Sequence, residues 1–552
     1  MYSKFTLLNY KLLTISLLAI IILTSCGKNI EADYNIIPKI NDIEFTTDSP
    51  FILTKETRII YPANNLKLEK NAKFLSDYIF EETSIRLKIE ANKKNNIQAK
   101  AIILSDNLIN SNTEAYNISI NSKLIKVNAS SDKGIFYGIQ SLRKFLPTEN
   151  VNKISFPSAD IHDKPRFAYR GGMLDVSRHF FQVAEIKKFI DILALHNLNV
   201  FHFHLTDDQG WRIEIKKYPL LTEIGSKRAQ TLIGNENDLP KIYDGKPYSG
   251  FYTQEQIKDI IQYATERYIT VIPEIDLPGH MSAALAAYPK LGCTDGPYKV
   301  EEGWGIFPNT LCAGKESVYL FIQDVLNEVM DLFPSPYIHI GGDECVKKAW
   351  RECSLCQNRI KKLGLKTDKH STKEQKLQSH ITSFAESIIN ARGRKMIGWD
   401  EILEGGLSEN AIVMSWQGTE GGIKASKLGH DAIMSPIDYV YFNYYQTKDT
   451  TNQPLAKIGY LPLKKVYSYE AIDSTFTSNE AEHILGIQAN LWSVYIPTFD
   501  IIEYMLLPRL SAISEIAWST DTTKDYNDFL NRLTKMSIIY DNLGYKNCKL
   551  YE

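Results

Sequence analysis

The sequence predicts an α/β protein, a (β/α)8 barrel preceded by a small α+β domain. Three observations carry this. From Tyr169 onward, short apolar strands alternate with amphipathic helices, the pattern of parallel βα units. Eight such strands fall within about 330 residues, the count and size of a barrel with insertions. The unusual polar and aromatic residues cluster just past the strand ends, the face on which such barrels build their sites.

In chain order, the first element lies outside the fold. Lys4 and Lys11 precede "LLTISLLAIIIL", which is too short for a comfortable membrane span and reads as a signal peptide. The run ends in "LTSCG", which resembles a bacterial lipobox. That resemblance implies cleavage before Cys26 and lipidation of the cysteine. Residues 1–25 are therefore expected to be a lipoprotein signal peptide. The mature chain is expected to be exported and lipid-anchored to the outer membrane, its only membrane attachment, on a face the sequence does not specify.

Residues 26–160 read as the α+β domain. β-Formers alternate or cluster in "FILTKETRII", "AIILSDN", "AYNISI" and "KLIKVNA", and "DKGIFYGIQSLRKFL" has helical apolar spacing. Nothing in this segment looks catalytic. Residues 161–520 form the barrel, and 521–552 a short helical tail. The barrel strands lie in "RGGMLDVSRH", "NVFHFHLTDD", "ITVIPEIDLPGH", "YIHIGGDE", "KMIGWDE", "AIVMSWQG", "DAIMSP" and "ILGIQANLWS". Between them sit helical stretches such as "VAEIKKFIDILALHN" and "SVYLFIQDVLNEVMDLF".

The 552-residue chain is 44% hydrophobic and 23% charged, with a net charge of −2, which carries no nucleic-acid footprint. Its 31 Tyr and 7 Trp suit carbohydrate surfaces, although a well-filled core accounts for most of them.

The strand ends carry a distinctive set. Arg178 follows strand one, Asp207 strand two, and Asp276 and His280 strand three. Asp343 and Glu344 follow strand four; adjacent carboxylates whose side chains diverge suggest two different jobs. Trp399, Trp416 and Trp492 end strands five, six and eight, with Tyr441 after strand seven. Three indoles at one barrel mouth form an aromatic-walled pocket suited to a pyranose, with carboxylates, Arg and Tyr to read hydroxyls.

Metal readings fit less well. His202-x-His204 lies inside a strand rather than past it, and strands five and six offer Trp where that chemistry wants His, so buried hydrogen-bonded histidines are expected. Cys353-x-x-Cys356 with nearby Cys345 lacks a second pair to complete four ligands. A local disulfide or simple thiols is expected there, with a plausible staple between Cys293 and Cys312 across a Gly-rich loop. No metal and no organic cofactor are expected.

"PRFAYRGGMLDVSRHF", "NVFHFHLTDDQGWR", "PEIDLPGH", "HIGGDE", "GWDE", "SWQG" and "LWS", in this order, closely resemble glycoside hydrolase family 20, the β-N-acetylhexosaminidases. The upstream unit and its "KGIFYGIQSLRKFLP" ending also look like that family's N-terminal domain. The resemblance implies exo-acting release of terminal β-linked N-acetylhexosamine from glycans with retention. The substrate's own 2-acetamido group would be the nucleophile, an exception to the two-carboxylate rule of glycosidases. By the same likeness, Glu344 would be the general acid/base, and Asp343 would orient the acetamide and stabilise an oxazolinium charge. Arg178 would hold the 3- and 4-hydroxyls, while Asp207 and His280 would support the acid. Trp399 and Trp416 would enclose the acetamide methyl, Trp492 would stack beneath the ring, and Tyr441 would bond the acetamide oxygen.

Two positions depart from the family pattern. Tyr-x-Asp after strand seven is here "YFN", giving Asn443, and Trp-x-Glu after strand eight is "WSV", giving Val494. Both missing carboxylates belong to the region that reads the 4- and 6-hydroxyls, so either drift or tolerance of 6-sulfated N-acetylglucosamine is expected. A disaccharide-releasing relative and a non-catalytic glycan-binding lipoprotein remain as alternatives.

Overall fold

The computed structural model describes residues 30–92, 99–149, 151–520 and 524–550, so Cys26 and the apolar run before it lie outside the described residues. The chain divides into two compact units. One comprises residues 30–36 with Ile40–Lys164, the other Ile37–Lys39 with Pro165 onward.

The first unit is built on a seven-stranded mixed sheet. Its order is Asp42–Phe45, Ala159–Asp163, Tyr116–Ile120, Leu124–Ala129, Ala101–Ser105, Arg58–Pro62 and Lys88–Asn92. Strict alternation sets the buried face: every second residue of Tyr116–Ile120 and Leu124–Ala129 is buried. Helices Leu66–Thr83 and Asp132–Phe145 pack together and onto this sheet. The second begins at Ser131, whose hydroxyl accepts the backbone N–H groups of Lys133 and Gly134.

The second unit is a closed barrel of eight parallel strands in sequence order. They are Tyr169–Asp175, Val200–His204, Thr270–Glu274, Tyr337–His339, Lys395–Trp399, Ile412–Ser415, Ala432–Met434 and Ile484–Leu491, the last pairing with the first. Each lies in the stretch nominated by the sequence, except that strand one starts one residue earlier, at Tyr169. Strands one and two are buried throughout, because helices cover the outside and side chains fill the inside. Met173, Ile272, Ile397, Ile412 and Ile433 meet in the barrel core. The register then sets Asp175 beside His204, His204 beside Glu274, and Glu274 beside His339. Four ionisable residues from strands one to four thus share a layer at the C-terminal mouth.

Outer helices start at strong signals: Thr253 and Thr372 each form a capping box, with Gln256 and Gln375 respectively. The C-terminal helix Tyr526–Asn542 belongs to the barrel unit. Arg532 pairs with both oxygens of the buried Glu515, and Tyr540 bonds His196 Nε2 at 2.6 Å. No helix among the described residues is long and apolar enough to cross a membrane.

The expected staple between Cys293 and Cys312 is not formed, and all six described cysteines are free. The reason is geometric. Those two sulfurs lie in one cluster with the sulfurs of Cys353 and Cys356, and Cys345 stays out of it.

Candidate active site

One buried carboxylate organises the floor of the barrel mouth. Glu274 lies 3.0 Å from His202 Nε2 and 3.0 Å from His339 Nδ1, and it also contacts His204 Nδ1. Burial opposes its charge, yet the three imidazoles hold its carboxyl well below the usual range. This is the hydrogen-bonded role expected of His202 and His204. Glu274 also accepts the Trp399 Nε1–H at 2.9 Å, fixing that indole with only 1% of the residue exposed.

A chain of alternating charges runs from the floor to the paired acids. Arg178 Nη2 lies 2.6 Å from Asp207 Oδ2, and its Nε donates to Gln209 Oε1 at 3.0 Å. Asp207 sits in a tight hairpin after strand two, where it faces His204 Nε2 at 3.0 Å and His280 Nδ1 at 3.1 Å. His280 Nδ1 is also 3.1 Å from Asp208, a residue the sequence reading passed over. On its other side, His280 Nε2 stands 3.5 Å from Glu344 Oε2 and 3.7 Å from Asp343 Oδ2. Burial alone would neutralise these groups. Instead, Arg178 and His280 hold the Asp207 carboxyl well below its ordinary value, and Asp207, Asp208 and Glu344 keep the His280 imidazole charged.

The paired acids do not sit on the strand itself. Strand four ends at His339, and Asp343 and Glu344 follow in a loop. The divergence expected of adjacent residues on an extended strand is therefore not found: Glu344 is left-handed at φ +46°, as His280 is at +50°, and one oxygen of each carboxylate lies within 4.8 Å of the other, both facing His280 Nε2. Such backbone is costly for non-glycine residues and concentrates at working sites. Gly341, at φ +65°, makes the turn possible, since a Cβ there would fall 2.0 Å from Asp276 Oδ1.

The two carboxylates have different surroundings. The Asp343 side chain is 11% exposed and that of Glu344 31%. Asp343 Oδ1 is buried without a hydrogen-bond partner among the described residues. Burial, reinforced by the charge of Glu344 and opposed by His280, raises the Asp343 carboxyl to about 6.

Above them opens a cavity of about 320 Å³, lined by Arg178, Asp343, Glu344 and the three indoles, with Tyr441 and Asn443 beside them. Trp416 and Tyr441 stack at 6.1 Å, Trp399 and Trp492 meet at 5.9 Å, and the Arg178 guanidinium lies 5.0 Å over Trp492. Asp207 and His280 stand behind the wall rather than in it. Cys26, the nominated lipidation site, falls outside the described residues.

Sequence reasoning missed several lining residues. Glu236, Gly305, Ile306, Lys457 and Tyr495 reach the cavity from the excursions between strands and from the segment after strand eight. No periodicity or motif marked them. Lys457 brings a cation to the cavity, whereas Lys448 lies over the Tyr460 ring at 5.4 Å. Glu401 was also missed, although it stands in the motif "GWDE". It accepts Trp416 Nε1–H at 3.1 Å and Gln417 Nε2–H at 2.8 Å, while Asp400 accepts the backbone N–H of both residues. Burial, with the nearby charge of Asp343, pushes the Glu401 carboxyl up to about 8.

Known proteins share this architecture. The profile "Glycosyl hydrolase family 20, catalytic domain" matches residues 167–521, and "Glycosyl hydrolase family 20, domain 2" matches 33–164. A beta-hexosaminidase of Porphyromonas gingivalis is 44% identical over 517 residues, covering 92% of this chain and 64% of the relative. A beta-hexosaminidase of Vibrio furnissii is 36% identical over 72% of this chain, again across 64% of its own length. The chain thus spans just under two thirds of these two relatives. Among solved structures, an exo beta-N-acetylglucosaminidase of Vibrio harveyi in complex with N-acetylglucosamine superposes with a TM-score of 0.80 at 30% identity, covering 95% of this chain and 79% of that one. A beta-N-acetylhexosaminidase of Bacteroides fragilis gives 0.77 at 30% identity, covering 94% and 97%.

Proposed function

The chain belongs to glycosyl hydrolase family 20, and on that premise we propose that it is an exo-acting, retaining β-N-acetylhexosaminidase. Its substrate is a glycan ending in β-linked GlcNAc or GalNAc. The observation that carries the reading is the unlike state of two neighbours. Asp343 brings to an indole-lined cavity a buried oxygen with no partner among the described residues, while its neighbour Glu344, on a left-handed backbone, remains a third exposed.

In the bound state, Asp343 accepts the acetamide N–H and aims the carbonyl oxygen at the anomeric carbon. That oxygen bonds to C1 as the bond to the leaving oxygen breaks, and Glu344 gives its proton to the leaving group. The positive charge of the resulting oxazolinium rests beside the Asp343 carboxylate. Water then attacks C1, returns a proton to Glu344 and regenerates the acetamide with the β-configuration. Orientation replaces a bimolecular encounter, which is why a weak nucleophile suffices. Trp399 and Trp416 enclose the acetamide methyl, Trp492 supports the ring, Tyr441 bonds the acetamide oxygen, and Arg178 holds the 3- and 4-hydroxyls. A cavity of about 320 Å³ lies at the small end of ligand pockets and favours release of one sugar over a disaccharide.

Proton NMR of the first-formed product from aryl β-GlcNAc and β-GalNAc tests the reading, with the β-anomer expected. A thiazoline analogue of the cyclised intermediate should inhibit far more tightly than the substrate binds. An inverted product, or a sugar ester trapped on any carboxylate of the protein, refutes the mechanism.

The proposal has two finer parts. Attachment to the outer membrane through a lipid on Cys26 rests on "LTSCG". Metabolic labelling with a radioactive fatty acid should mark the wild type and not Cys26→Ser, and an unlabelled wild type would remove the anchor. Acceptance of 6-sulfated N-acetylglucosamine is supported by the neutral Asn443 and Val494, with Lys457 joining them at the cavity.

A further inference from the structure

The four clustered cysteines come from two separate segments. Cys293 follows the short turn Pro289–Leu291, and Cys312 closes the long loop that begins there. Cys353 joins helices Lys348–Glu352 and Ser354–Lys362, and Cys356 lies in the first turn of the latter. All four sulfurs lie within 4.8 Å of one another. Cys312 Sγ is 3.6 Å from Cys356 Sγ and 3.7 Å from Cys353 Sγ, and Cys293 Sγ is 3.8 Å from Cys356 Sγ. A tetrahedron with metal–sulfur arms of about 2.3 Å has edges of about 3.8 Å. A disulfide would instead pair sulfurs at about 2.05 Å. Here one sulfur, that of Cys312, is equally close to two others, so the arrangement has a shared centre rather than pairs.

We propose that Cys293, Cys312, Cys353 and Cys356 form a tetrahedral site for one zinc ion. Four thiolates in this geometry select zinc over the hard cations Mg²⁺ and Ca²⁺. On binding, the thiols lose up to four protons to solvent, and the ion with four thiolates carries a charge of −2. The surroundings suit such a centre. The backbone N–H of Gly314 bonds the Cys312 sulfur. Lys315 Nζ reaches the carbonyls of Lys290 and Gly292 at 2.9 and 2.8 Å, setting a cation beside the Cys293 segment. Close approach of the two segments depends on Gly314, where a Cβ would fall 2.3 Å from the Leu355 carbonyl carbon and 2.5 Å from the Cys356 nitrogen.

The position indicates what the ion does. Gly292 and Leu311 bridge the base of the loop, and Trp350 Nε1 donates to Leu311 O at 2.8 Å. The tip of the same loop carries Gly305 and Ile306 to the cavity. The Cys353–Cys356 segment follows the turn that holds Asp343 and Glu344. Zinc therefore clamps the base of one cavity-lining loop to the helices behind the paired acids, as a structural ion outside the reacting groups. Sequence alone hid this, because the second ligand pair is not a CxxC but two cysteines 19 positions apart.

The test uses the full chain produced in zinc-sufficient medium and desalted. Elemental analysis should find about one zinc per chain, falling at least fivefold in Cys353→Ser and in Cys356→Ser. Because those variants can fail to fold, the wild type is also stripped by a chelator and refilled with Co²⁺. A tetrahedral thiolate site then gives sulfur-to-cobalt charge-transfer bands, and stripping lowers Tm by about 5 °C or more. Intact mass under denaturing, non-reducing conditions should equal that of the fully reduced chain. A wild type lighter by four hydrogens and free of metal holds two disulfides instead, and overturns the proposal. So does a reduced chain that takes up neither Zn²⁺ nor Co²⁺, or one isolated with iron in the site.

Discussion

His280 Nε2 stands 3.5 Å from Glu344 Oε2, while the opposite ring nitrogen faces Asp207 at 3.1 Å. The imidazole thus links the candidate proton donor to a buried carboxylate that also holds Arg178 at 2.6 Å. Burial works against charge on His280, but Asp207, Asp208 and Glu344 outweigh it, and the ring is held protonated well above the usual pH. A fixed cation beside Glu344 offsets the negative charge that forms when the acid gives up its proton.

Asp207→Asn should therefore act at two places at once. NMR of the ring nitrogens should find His280 cationic at pH 8 in the wild type and titrating at lower pH in the variant. Loss of the partner of a buried Arg178 should cost about 3 kcal/mol of stability, read from denaturant unfolding. A wild-type imidazole already neutral at pH 8 would sink the electrostatic argument.

Glu344→Gln should reduce turnover of substrates with poor leaving groups by about 10²–10⁴-fold, the usual contribution of acid–base catalysis. Activated aryl leaving groups need little protonation and should suffer less. The comparison of kcat/KM across a leaving-group series reads this directly. An equal loss for all leaving groups would mean that the proton comes from elsewhere.

Asp343 links activity and stability to pH with opposite signs. Its carboxyl is raised to about 6 by burial and by Glu344, so it must ionise against its surroundings to accept the acetamide N–H. kcat/KM should fall as pH drops through about 6. For stability, the native state binds the extra proton between the unfolded value near 4 and about 6, so this group costs stability as pH rises through that window. Asp343→Asn removes the charge and should stabilise the protein at pH 7 by roughly 1–3 kcal/mol while nearly abolishing turnover. If the variant is less stable at pH 7 than the wild type, Asp343 is not a strained ionised group.

How far this site could be read in advance depends on which residues the barrel itself places. The eight strands and the residues at their ends were legible because parallel βα units write strong apolar runs, and their C-terminal ends define the mouth. Arg178, Asp343, Trp399 and Trp492 come to one cavity for that reason. Glu236, Lys457 and Ile306 reach the same cavity from excursions whose paths are set by tertiary packing, which leaves no period in the sequence. The divergence expected of Asp343 and Glu344 was misjudged, although Gly341 and Gly342 announced that the strand had ended before them. The cysteine cluster went unrecognised because Cys293 and Cys312 meet Cys353 and Cys356 only after two loops fold together.

The last prediction concerns the end of the cavity where Asn443 and Val494 put an amide and an alkyl group at the two positions expected to carry carboxylates, and Lys457 adds a cation. A carboxylate about 4 Å from a sulfate would repel it by about 1–4 kcal/mol across effective dielectrics from water down to 20. Its absence is worth roughly tenfold or more in relative turnover, since 1.4 kcal/mol is a factor of ten. Asn443 can donate through its amide, and its buried Oδ1 has no partner among the described residues. Glu236 also lines the cavity and supplies an opposing charge, so the balance between Lys457 and Glu236 decides the outcome. The ratio of kcat/KM for 6-sulfated to unsulfated aryl GlcNAc should fall in Lys457→Ala and rise in Glu236→Gln. It should fall furthest when Asn443→Asp is combined with Val494→Glu. If that double substitution leaves the ratio unchanged, the two departures are drift and the sulfate reading fails.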